Sequence, residues 1–234
     1  IDYSSFDHPG VPAFLFHPRP EYPAPLPGVH AESVMIPVDP EADVEARFYL
    51  TERNAPNILF FHGNGEIVAD YDEIAMLYNG MGINFIPVDY RGYGRSSGRP
   101  TVTSMMRDAH VLFDFMQNRR KNLHYEGPLV IMGRSLGSAP ALELACHYQQ
   151  EIDGLIIESG FAFIGPLLQL MGISMAMYGL SEERGPRNIE KIRLFDKPTV
   201  IIHAQYDQII SFQEGQDLFD ACPSPNKKLL MIPG

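Results

Sequence analysis

Near its middle the chain reads Leu129-Val130-Ile131-Met132-Gly133-Arg134-Ser135-Leu136-Gly137, and this stretch decides the fold. Its four apolar residues indicate a short buried strand, which runs into a G-x-S-x-G pentapeptide. In this pattern a tight strand-to-helix turn holds the serine in a strained backbone conformation, with its hydroxyl exposed at the end of the sheet. The helix-forming run at 139–145 favours this interpretation over a Gly/Ser turn with a buried hydroxyl.

The glycines on either side of Ser135 have a steric reason in such a turn. A Cβ atom at Gly133 or Gly137 would crowd the neighbouring strand or helix. A serine hydroxyl is a weak nucleophile, so it needs a base to take its proton, a group that orients the base, and donors for an oxyanion. We therefore predict Ser135 as a nucleophile and expect the other three parts elsewhere in the chain.

Composition excludes several classes of protein. The 234 residues are 45% apolar and 20% charged, which is typical of one sizeable globular α/β domain. The net charge of −11 argues against binding nucleic acid or an anionic membrane through a broad basic patch. The sequence contains no run of 18 apolar residues and therefore predicts no membrane-spanning segment. Cys146 and Cys222 show neither a metal nor a disulfide spacing, so reduced thiols and a cytoplasmic location are expected.

Residues 1–32 form a leader that is rich in proline. Its prolines are Pro9, Pro12, Pro18, Pro20, Pro23, Pro25 and Pro27. Because proline lacks a ladder donor and resists helix formation, we expect an extended segment packed on the domain, with Phe14, Leu15 and Phe16 as its anchors. The alternative is a polyproline II ligand for a partner protein.

Short apolar runs predict the strands. Two runs with rough alternation, 33–38 and 44–50, predict an antiparallel hairpin with one face in water. Five further runs lack alternation, which is typical of strands buried on both faces in a parallel sheet. These runs are 57–61, 83–88, 129–132, 155–158 and 199–203, and 228–232 is a last candidate strand.

Helical patterns lie between these strands. The clearest is 102–117, where apolar residues recur with the i, i+3, i+4, i+7 spacing of a helix packed on a sheet. The other candidates are 66–78, 136–149 and 212–219. This alternation predicts a mostly parallel central sheet with helices on both faces, in a single α/β domain over 33–234.

Residues 161–190 interrupt the alternation. The first part is apolar and includes Met171, Met175 and Met177, and a charged stretch follows at 182–187. We expect one or two short cap helices inserted beside Ser135, since methionine suits an adaptable apolar substrate wall. The alternative is a core helix or a dimer contact in which methionine fills space.

Oxyanion donors are expected from Phe61-His62-Gly63-Asn64-Gly65-Glu66, which leaves an apolar strand and enters a helix. The backbone N–H groups of Asn64 and of Leu136, the residue after the nucleophile, are the expected pair. For His62, a structural role that fixes this loop by hydrogen bonds is favoured over a catalytic one.

The acid is expected after the serine along the chain. Asp207 lies a few residues past the predicted strand 199–203, where the turn aims back at the same edge of the sheet, and we predict it as the acid. Glu158, at the end of the preceding strand, is the alternative acid. A further possibility is that Asp207 only caps its turn.

The base is not evident among the residues of the sequence. Of the eight histidines, none follows Asp207. His203 precedes it by four residues and is poorly placed to bridge the acid and the serine, while His110 and His147 fall in predicted helices on the faces of the sheet.

Four motifs, in this order along the chain, resemble those of serine hydrolases in the α/β-hydrolase superfamily. The resemblance is to the small esterase, thioesterase and peptidase-like type. The motifs are His62-Gly63-Asn64-Gly65, Asp89-Tyr90-Arg91-Gly92-Tyr93-Gly94-Arg95-Ser96, Gly133-Arg134-Ser135-Leu136-Gly137 and His203-Ala204-Gln205-Tyr206-Asp207. The resemblance covers roughly 30–234 and implies an α/β-hydrolase fold with a short helical cap. It also implies a catalytic histidine in a loop just after the last strand, 228–232. We therefore expect that histidine and a last helix just beyond Gly234, in agreement with the missing initiator Met; the alternative is a truncated, inactive chain.

The resemblance implies acyl transfer to water through an acyl-enzyme, on a small ester or thioester whose acyl part is apolar, with no metal or organic cofactor. The alternatives are a catalytically inactive binding protein and a peptidase, for which Glu158 and 182–187 are the candidate anchors of a peptide terminus. The glycines of 89–96 could suggest phosphate binding, but this loop lacks the Lys of a P-loop and is expected to flank the active site as a structural element. No oligomeric state is predicted.

Overall fold

Eight strands form one sheet in the computed structural model of the chain, which describes residues 1–21 and 31–233. The strands are β1 (Glu32–Asp39), β2 (Ala42–Phe48), β3 (Asn57–Phe61), β4 (Asn84–Val88), β5 (Leu129–Arg134), β6 (Gly154–Glu158), β7 (Thr199–Ala204) and β8 (Lys227–Ile232). Their order across the sheet is β1-β2-β4-β3-β5-β6-β7-β8. The predicted strands are all present, and their bounds differ from the prediction by at most two residues.

The sheet is parallel except at one edge. The β1–β2 and β2–β4 pairs are antiparallel, and every other neighbouring pair is parallel. Every residue of β3 and β4 is buried, which explains why these strands read as unbroken apolar runs. The mostly parallel α/β architecture predicted from the sequence is confirmed.

Seven α-helices occur among the described residues. They are α1 (Pro12–Leu15), α2 (Asp72–Gly80), α3 (Val102–Leu123), α4 (Ser138–His147), α5 (Ile164–Leu170), α6 (Asn188–Ile192) and α7 (Phe212–Ala221). None of the helices in the described ranges is long and apolar enough to cross a membrane. Four short 3-10 segments complete the helical structure there, at Ser4–Asp7, Val68–Tyr71, Ser135–Gly137 and Glu182–Arg184.

Two helical bounds differ from the prediction by more than two residues. The third helix, α3, runs on to Leu123 instead of ending at 117, because its apolar stripe stops at Met116 while strong helix formers such as Arg120 and Lys121 continue the helix. The second helix, α2, begins at Asp72 and not at 66. In the predicted cap region, 161–190, the helical elements are α5, the 3-10 turn Glu182–Arg184 and the first residues of α6, and residues 171–180 contain no helix.

The described part of the leader, residues 1–21, contributes buried side chains to the core, but it is not extended throughout. Residues 4–7 form a 3-10 turn and 12–15 form α1, because Pro12 at the first helical position has the backbone angle that a helix start requires. Leu15 and Phe16 are buried as anchors, whereas Phe14 is 48% exposed and is not one. Pro23, Pro25 and Pro27, three of the seven prolines for which the polyproline alternative was considered, lie outside the described residues.

Parallel pairing brings the carboxyl ends of four strands to one edge of the sheet. In register, Phe61 of β3 pairs with Gly133 of β5, and Gly133 pairs with Ile157 of β6. The loops that follow β3, β5, β6 and β7 therefore leave the sheet side by side. Ligand sites in such sheets lie in the crevice outside these carboxyl ends.

The loop that contains residues 89–96 forms hydrogen bonds with strand β2 and helix α3. The Arg91 guanidinium donates to both carboxylate oxygens of Asp108 on α3, at 2.6 and 2.8 Å. Backbone N–H groups of β2 donate to the Ser96 and Ser97 hydroxyls, each at 2.9 Å. Gly94 has a φ of 56°, and a Cβ there would lie 2.2 Å from the buried Asp89 carboxylate. These contacts support the structural role expected for the loop.

Candidate active site

Ser135 directly follows β5 and has a φ of 50°. A positive φ is costly for a residue with a Cβ and persists only where the surrounding structure imposes it. Here the 3-10 turn Ser135–Gly137 continues into α4, and the Ser138 hydroxyl donates a hydrogen bond of 2.7 Å to the Ser135 carbonyl. Ser135 lines a cavity of about 290 Å³, called the serine cavity below. This is the strained turn that the pentapeptide predicts.

The two glycines of the pentapeptide lie where no side chain fits. A Cβ on Gly133 would lie 2.3 Å from the Gly137 carbonyl oxygen and 2.7 Å from the Ala141 Cβ in α4. A Cβ on Gly137 would lie 2.1 Å from the Phe61 carbonyl oxygen at the end of β3. The close approach of α4 to β3 and β5 therefore requires glycine at both positions.

Substitution of Gly137 by alanine is expected to destabilise the protein by about 3 kcal/mol, the upper end for overpacking. Gly137 has helical backbone angles that suit alanine. The cost therefore comes from the clash with a backbone oxygen, which no side-chain rotation can relieve. For a chain of this size we expect the melting temperature to fall by about 6–12 °C.

The matched control is Gly80→Ala at the end of α2, where a Cβ meets nothing within 4 Å. That variant should melt at or slightly above the wild-type temperature, since alanine is the better helix former. Thermal denaturation followed by circular dichroism compares the two. Equal melting temperatures for the variants would contradict the steric account.

The loop after β3 is held by hydrogen bonds on both sides. The Gly63 N–H donates to the Glu66 carboxylate at 2.7 Å. The Asn64 side-chain oxygen accepts from the Tyr93 hydroxyl at 2.7 Å and from the backbone N–H of His17 in the leader at 2.8 Å. Asn64 lines the serine cavity, and Leu136, the second predicted donor residue, is buried directly after Ser135.

His62 is fully buried behind this loop. Its Nδ1 lies 2.8 Å from the Gly63 carbonyl oxygen, and its Nε2 lies 3.1 Å from the Asp89 carboxylate. The Tyr90 hydroxyl donates to the His62 carbonyl at 2.7 Å. Burial raises the pKa of Asp89, although the His62 contact opposes that shift. With both ring nitrogens engaged away from the cavity, these contacts favour the structural role expected for His62.

Asp207 lines the serine cavity together with Ser135. Its Oδ1 accepts hydrogen bonds from the backbone N–H groups of Ile209 and Ile210, at 2.9 and 3.0 Å. Asp207 therefore caps its own turn with one oxygen, as the simpler interpretation expected. Capping uses only Oδ1. The second carboxylate oxygen of Asp207, a residue that lines the serine cavity, is not used by the cap.

Glu158, the alternative acid, faces a different cavity. Its Oε1 accepts from the Arg134 Nε at 3.1 Å, and Arg134 also forms an ion pair with Glu66. Glu158 lines a neighbouring cavity of about 380 Å³, and only Glu66 and Arg134 line both cavities. Geometry thus favours Asp207 over Glu158.

No histidine is among the described residues that line the serine cavity. His203 is fully buried, and its Nε2 donates to the Ile210 carbonyl at 2.7 Å while lying 3.8 Å from Asp207 Oδ2. Its ring packs against α7, where a Cβ on Gly215 would lie 2.5 Å from Nδ1. His203 therefore fixes the turn that carries Asp207 and does not face Ser135.

One wall of the serine cavity is apolar. It is formed by Leu167, Met171, Ile209 and Ile210. Of the three methionines proposed for this wall, only Met171 lines it: Met175 lines a separate cavity and Met177 is 79% exposed.

Sequence reasoning missed several residues of the cavity, namely Glu66, Arg134, Ile209 and Ile210. Arg134 stands at the variable position before the serine, and Ile209 and Ile210 follow the acid in a turn. No local pattern marks such positions as parts of a site.

A family model described as Serine aminopeptidase, S33 matches residues 52–187, more than half of the chain, including both Asn64 and Ser135. The chain belongs to the α/β-hydrolase superfamily. The family match ends before Asp207, so it bears on the serine and its loop but not on the acid.

Two curated relatives of this α/β hydrolase carry the same name. Alpha/beta hydrolase domain-containing protein 17B from Homo sapiens is 30% identical over 187 residues, which cover 76% of this chain and 60% of that protein. The protein of that name from Xenopus tropicalis matches with the same identity and coverage. The α/β hydrolase described here thus spans about 60% of the length of these relatives.

Solved structures of low sequence identity share the fold of this α/β hydrolase. Est1E from Butyrivibrio proteoclasticus, bound to ferulic acid, superposes with a TM-score of 0.71 at 18% identity and covers 86% of this chain and 89% of its own. Monoglyceride lipase from Saccharomyces cerevisiae, in complex with a substrate analog, superposes at 0.69 with 20% identity, and covers 92% and 89%. The α/β-hydrolase fold implied by the sequence motifs is confirmed.

Proposed function

We propose that this α/β hydrolase cleaves an ester or thioester with an apolar acyl group, through a Ser-His-Asp acyl-enzyme mechanism. One observation carries the proposal: Ser135, Asp207 and Asn64 line a single cavity that also has an apolar wall. The serine comes with the strained backbone of a nucleophile turn. The apolar wall suits an apolar acyl chain of a substrate better than it suits a charged substrate group.

In this mechanism the Ser135 hydroxyl oxygen attacks the acyl carbon while a histidine takes its proton. The backbone N–H groups of Asn64 and Leu136 stabilise the oxyanion that forms. The histidine then passes the proton to the leaving alcohol or thiol. In the second half of the reaction water attacks the acyl-enzyme, again with the histidine as base, and releases the acyl group. Asp207 orients the histidine and stabilises its cationic form.

The histidine is proposed to come from the part of the chain that follows β8. Two observations support this placement. The described residues of the serine cavity include no histidine, and Asp207 stands after β7, next to β8 in the sheet. A loop leaving the carboxyl end of β8 therefore starts beside the acid. A cytoplasmic location is proposed as well, consistent with the two cysteines being free.

Two of the candidate anchors for a peptide terminus already have partners within the chain. Glu158 is paired with Arg134, and Glu182 accepts hydrogen bonds from the Ile164 and Gly165 N–H groups at the start of α5. Glu183, in the same candidate stretch at 182–187, is exposed. The contacts of Glu158 and Glu182 favour the ester and thioester proposal over the peptidase one.

The test uses the full-length protein and two kinds of probe. A fluorophosphonate should label it once, and peptide mapping should place the label on Ser135. A panel of p-nitrophenyl esters of rising chain length is expected to be turned over faster than aminoacyl-nitroanilides. Failure of the intact, folded protein to be labelled would show an inactive binding protein, and faster cleavage of the anilides would show a peptidase.

A further inference from the structure

Three side chains that could bind a metal converge on the outer side of helices α3 and α4, away from the serine cavity. His110 lies on α3, and Glu143 and His147 lie one turn apart on α4. Their potential ligand atoms all lie within 4.8 Å of one another. Sequence analysis assigned His110 and His147 only to helices on the faces of the sheet, and the hydrolytic mechanism uses none of the three.

Two of the three separations match those of a tetrahedral metal site. Glu143 Oε1 lies 3.4 Å from His110 Nε2 and 3.6 Å from His147 Nδ1. Ligand atoms bound to one Zn²⁺ at about 2.0–2.1 Å in tetrahedral geometry are separated by about 3.4 Å. The two measured distances are long for hydrogen bonds but suit two edges of such a tetrahedron.

The surroundings of the cluster prepare its atoms for a metal. His110 Nδ1 lies 3.0 Å from the Tyr148 hydroxyl, a contact that fixes the orientation of the imidazole ring with Nε2 toward Glu143. The second oxygen of Glu143 is held by Lys191 at 2.5 Å and by the Tyr3 hydroxyl at 2.8 Å. Burial by itself would raise the pKa of Glu143, but His110 and Lys191 hold it well below its usual value. The Glu143 carboxylate is thus held in place through one oxygen, while Oε1 faces the two histidines.

We propose that His110, Glu143 and His147 form a binding site for a Zn²⁺-like divalent cation, with water as the fourth ligand. The His₂Glu donor set suits zinc. The Glu143 side chain is 5% exposed, whereas those of His110 and His147 are 27% and 51% exposed. The buried carboxylate therefore forms the floor of the site, and the histidines leave a path for the metal and its water.

Coordination changes the protonation of His147. Without metal, His147 Nδ1 lies 3.1 Å from the Glu143 backbone carbonyl, to which it donates a hydrogen bond. Binding replaces that proton by the metal, and the proton passes to solvent.

Such a metal connects three parts of the chain. It joins α3 directly to α4, the helix that follows the nucleophile turn. Through Glu143 it is also connected to Tyr3, because the same carboxylate accepts a hydrogen bond from the leader. We assign the site a structural role, in which bound metal stabilises the packing of the leader and α3 on α4.

The test uses full-length protein purified without a histidine tag. Titration with Co²⁺ should give intense visible bands of a tetrahedral complex at one equivalent, and Zn²⁺ should displace the Co²⁺. Saturation with Zn²⁺ at 100 times its Kd should raise the melting temperature by about 5 °C or more.

Three substitutions to asparagine complete the experiment. H110N and H147N should weaken Co²⁺ binding at least tenfold. His124→Asn is the matched control, because it removes an exposed imidazole just past the same α3 helix, at a φ of 58° that asparagine tolerates. It should bind as the wild type does. A weak octahedral Co²⁺ spectrum, or equal binding by all three variants, would overturn the proposal.

Discussion

Ser135→Ala is expected to lower kcat/KM for a p-nitrophenyl ester by about 10⁵-fold in the full-length protein, while leaving the fold intact. Loss of the nucleophile removes the acyl-enzyme pathway, and only binding and oxyanion stabilisation remain. The substitution deletes one oxygen from a side chain that faces the serine cavity and leaves the Cβ atom and the backbone strain unchanged. Steady-state kinetics with the purified protein measure the effect, and circular dichroism verifies folding.

Ser159 offers a matched control for this measurement. It follows β6, lines the same cavity and also has a positive φ, 46°. Ser159→Ala thus repeats the chemical change at an equivalent backbone conformation, and we expect it to cost less than about tenfold. If the Ser135 variant keeps a tenth of the wild-type rate, or if Ser159→Ala is the more damaging change, the assignment of the nucleophile is wrong.

Asp207→Asn is expected to lower kcat by about 10³- to 10⁴-fold, because an amide cannot stabilise the cationic histidine and favours its wrong tautomer. The side chain keeps its shape, and its oxygen still accepts the N–H groups of Ile209 and Ile210 that close the turn. The melting temperature should therefore change little. The comparison of kcat values at constant temperature checks the prediction.

The control is the isosteric change at the alternative acid, Glu158→Gln. Its carboxylate contacts Arg134 and faces the neighbouring cavity, so the loss of its charge should reduce kcat by less than about tenfold. The reverse order of effects would assign the role of the acid to Glu158.

The sheet and the convergence of the site were predictable because they depend on short-range patterns. Apolar runs without alternation are typical of strands that are covered on both faces, which predicted the parallel arrangement of β3 to β7. Parallel strands bring their carboxyl ends to one edge, so residues shortly after β3, β5 and β7 meet there. That rule sufficed to place Asn64, Ser135 and Asp207 around one cavity.

Features that depend on tertiary partners were not predictable. Phe14 and Leu15 are adjacent and similarly apolar, yet only Leu15 is buried, because the direction of each side chain is determined by the turn of α1. Arg134 gave no sign that it pairs with both Glu66 and Glu158. His110 and Glu143 are distant in sequence and meet only because α3 packs beside α4.

The ion pair between Glu66 and Arg134 has a consequence for how the site responds to substrate. Glu66 holds the Gly63 N–H in the loop of Asn64, and Arg134 immediately precedes Ser135 and Leu136. The ion pair therefore connects the two chain segments from which the proposed oxyanion donors come. Donors whose positions are fixed before substrate binds stabilise developing negative charge without further rearrangement.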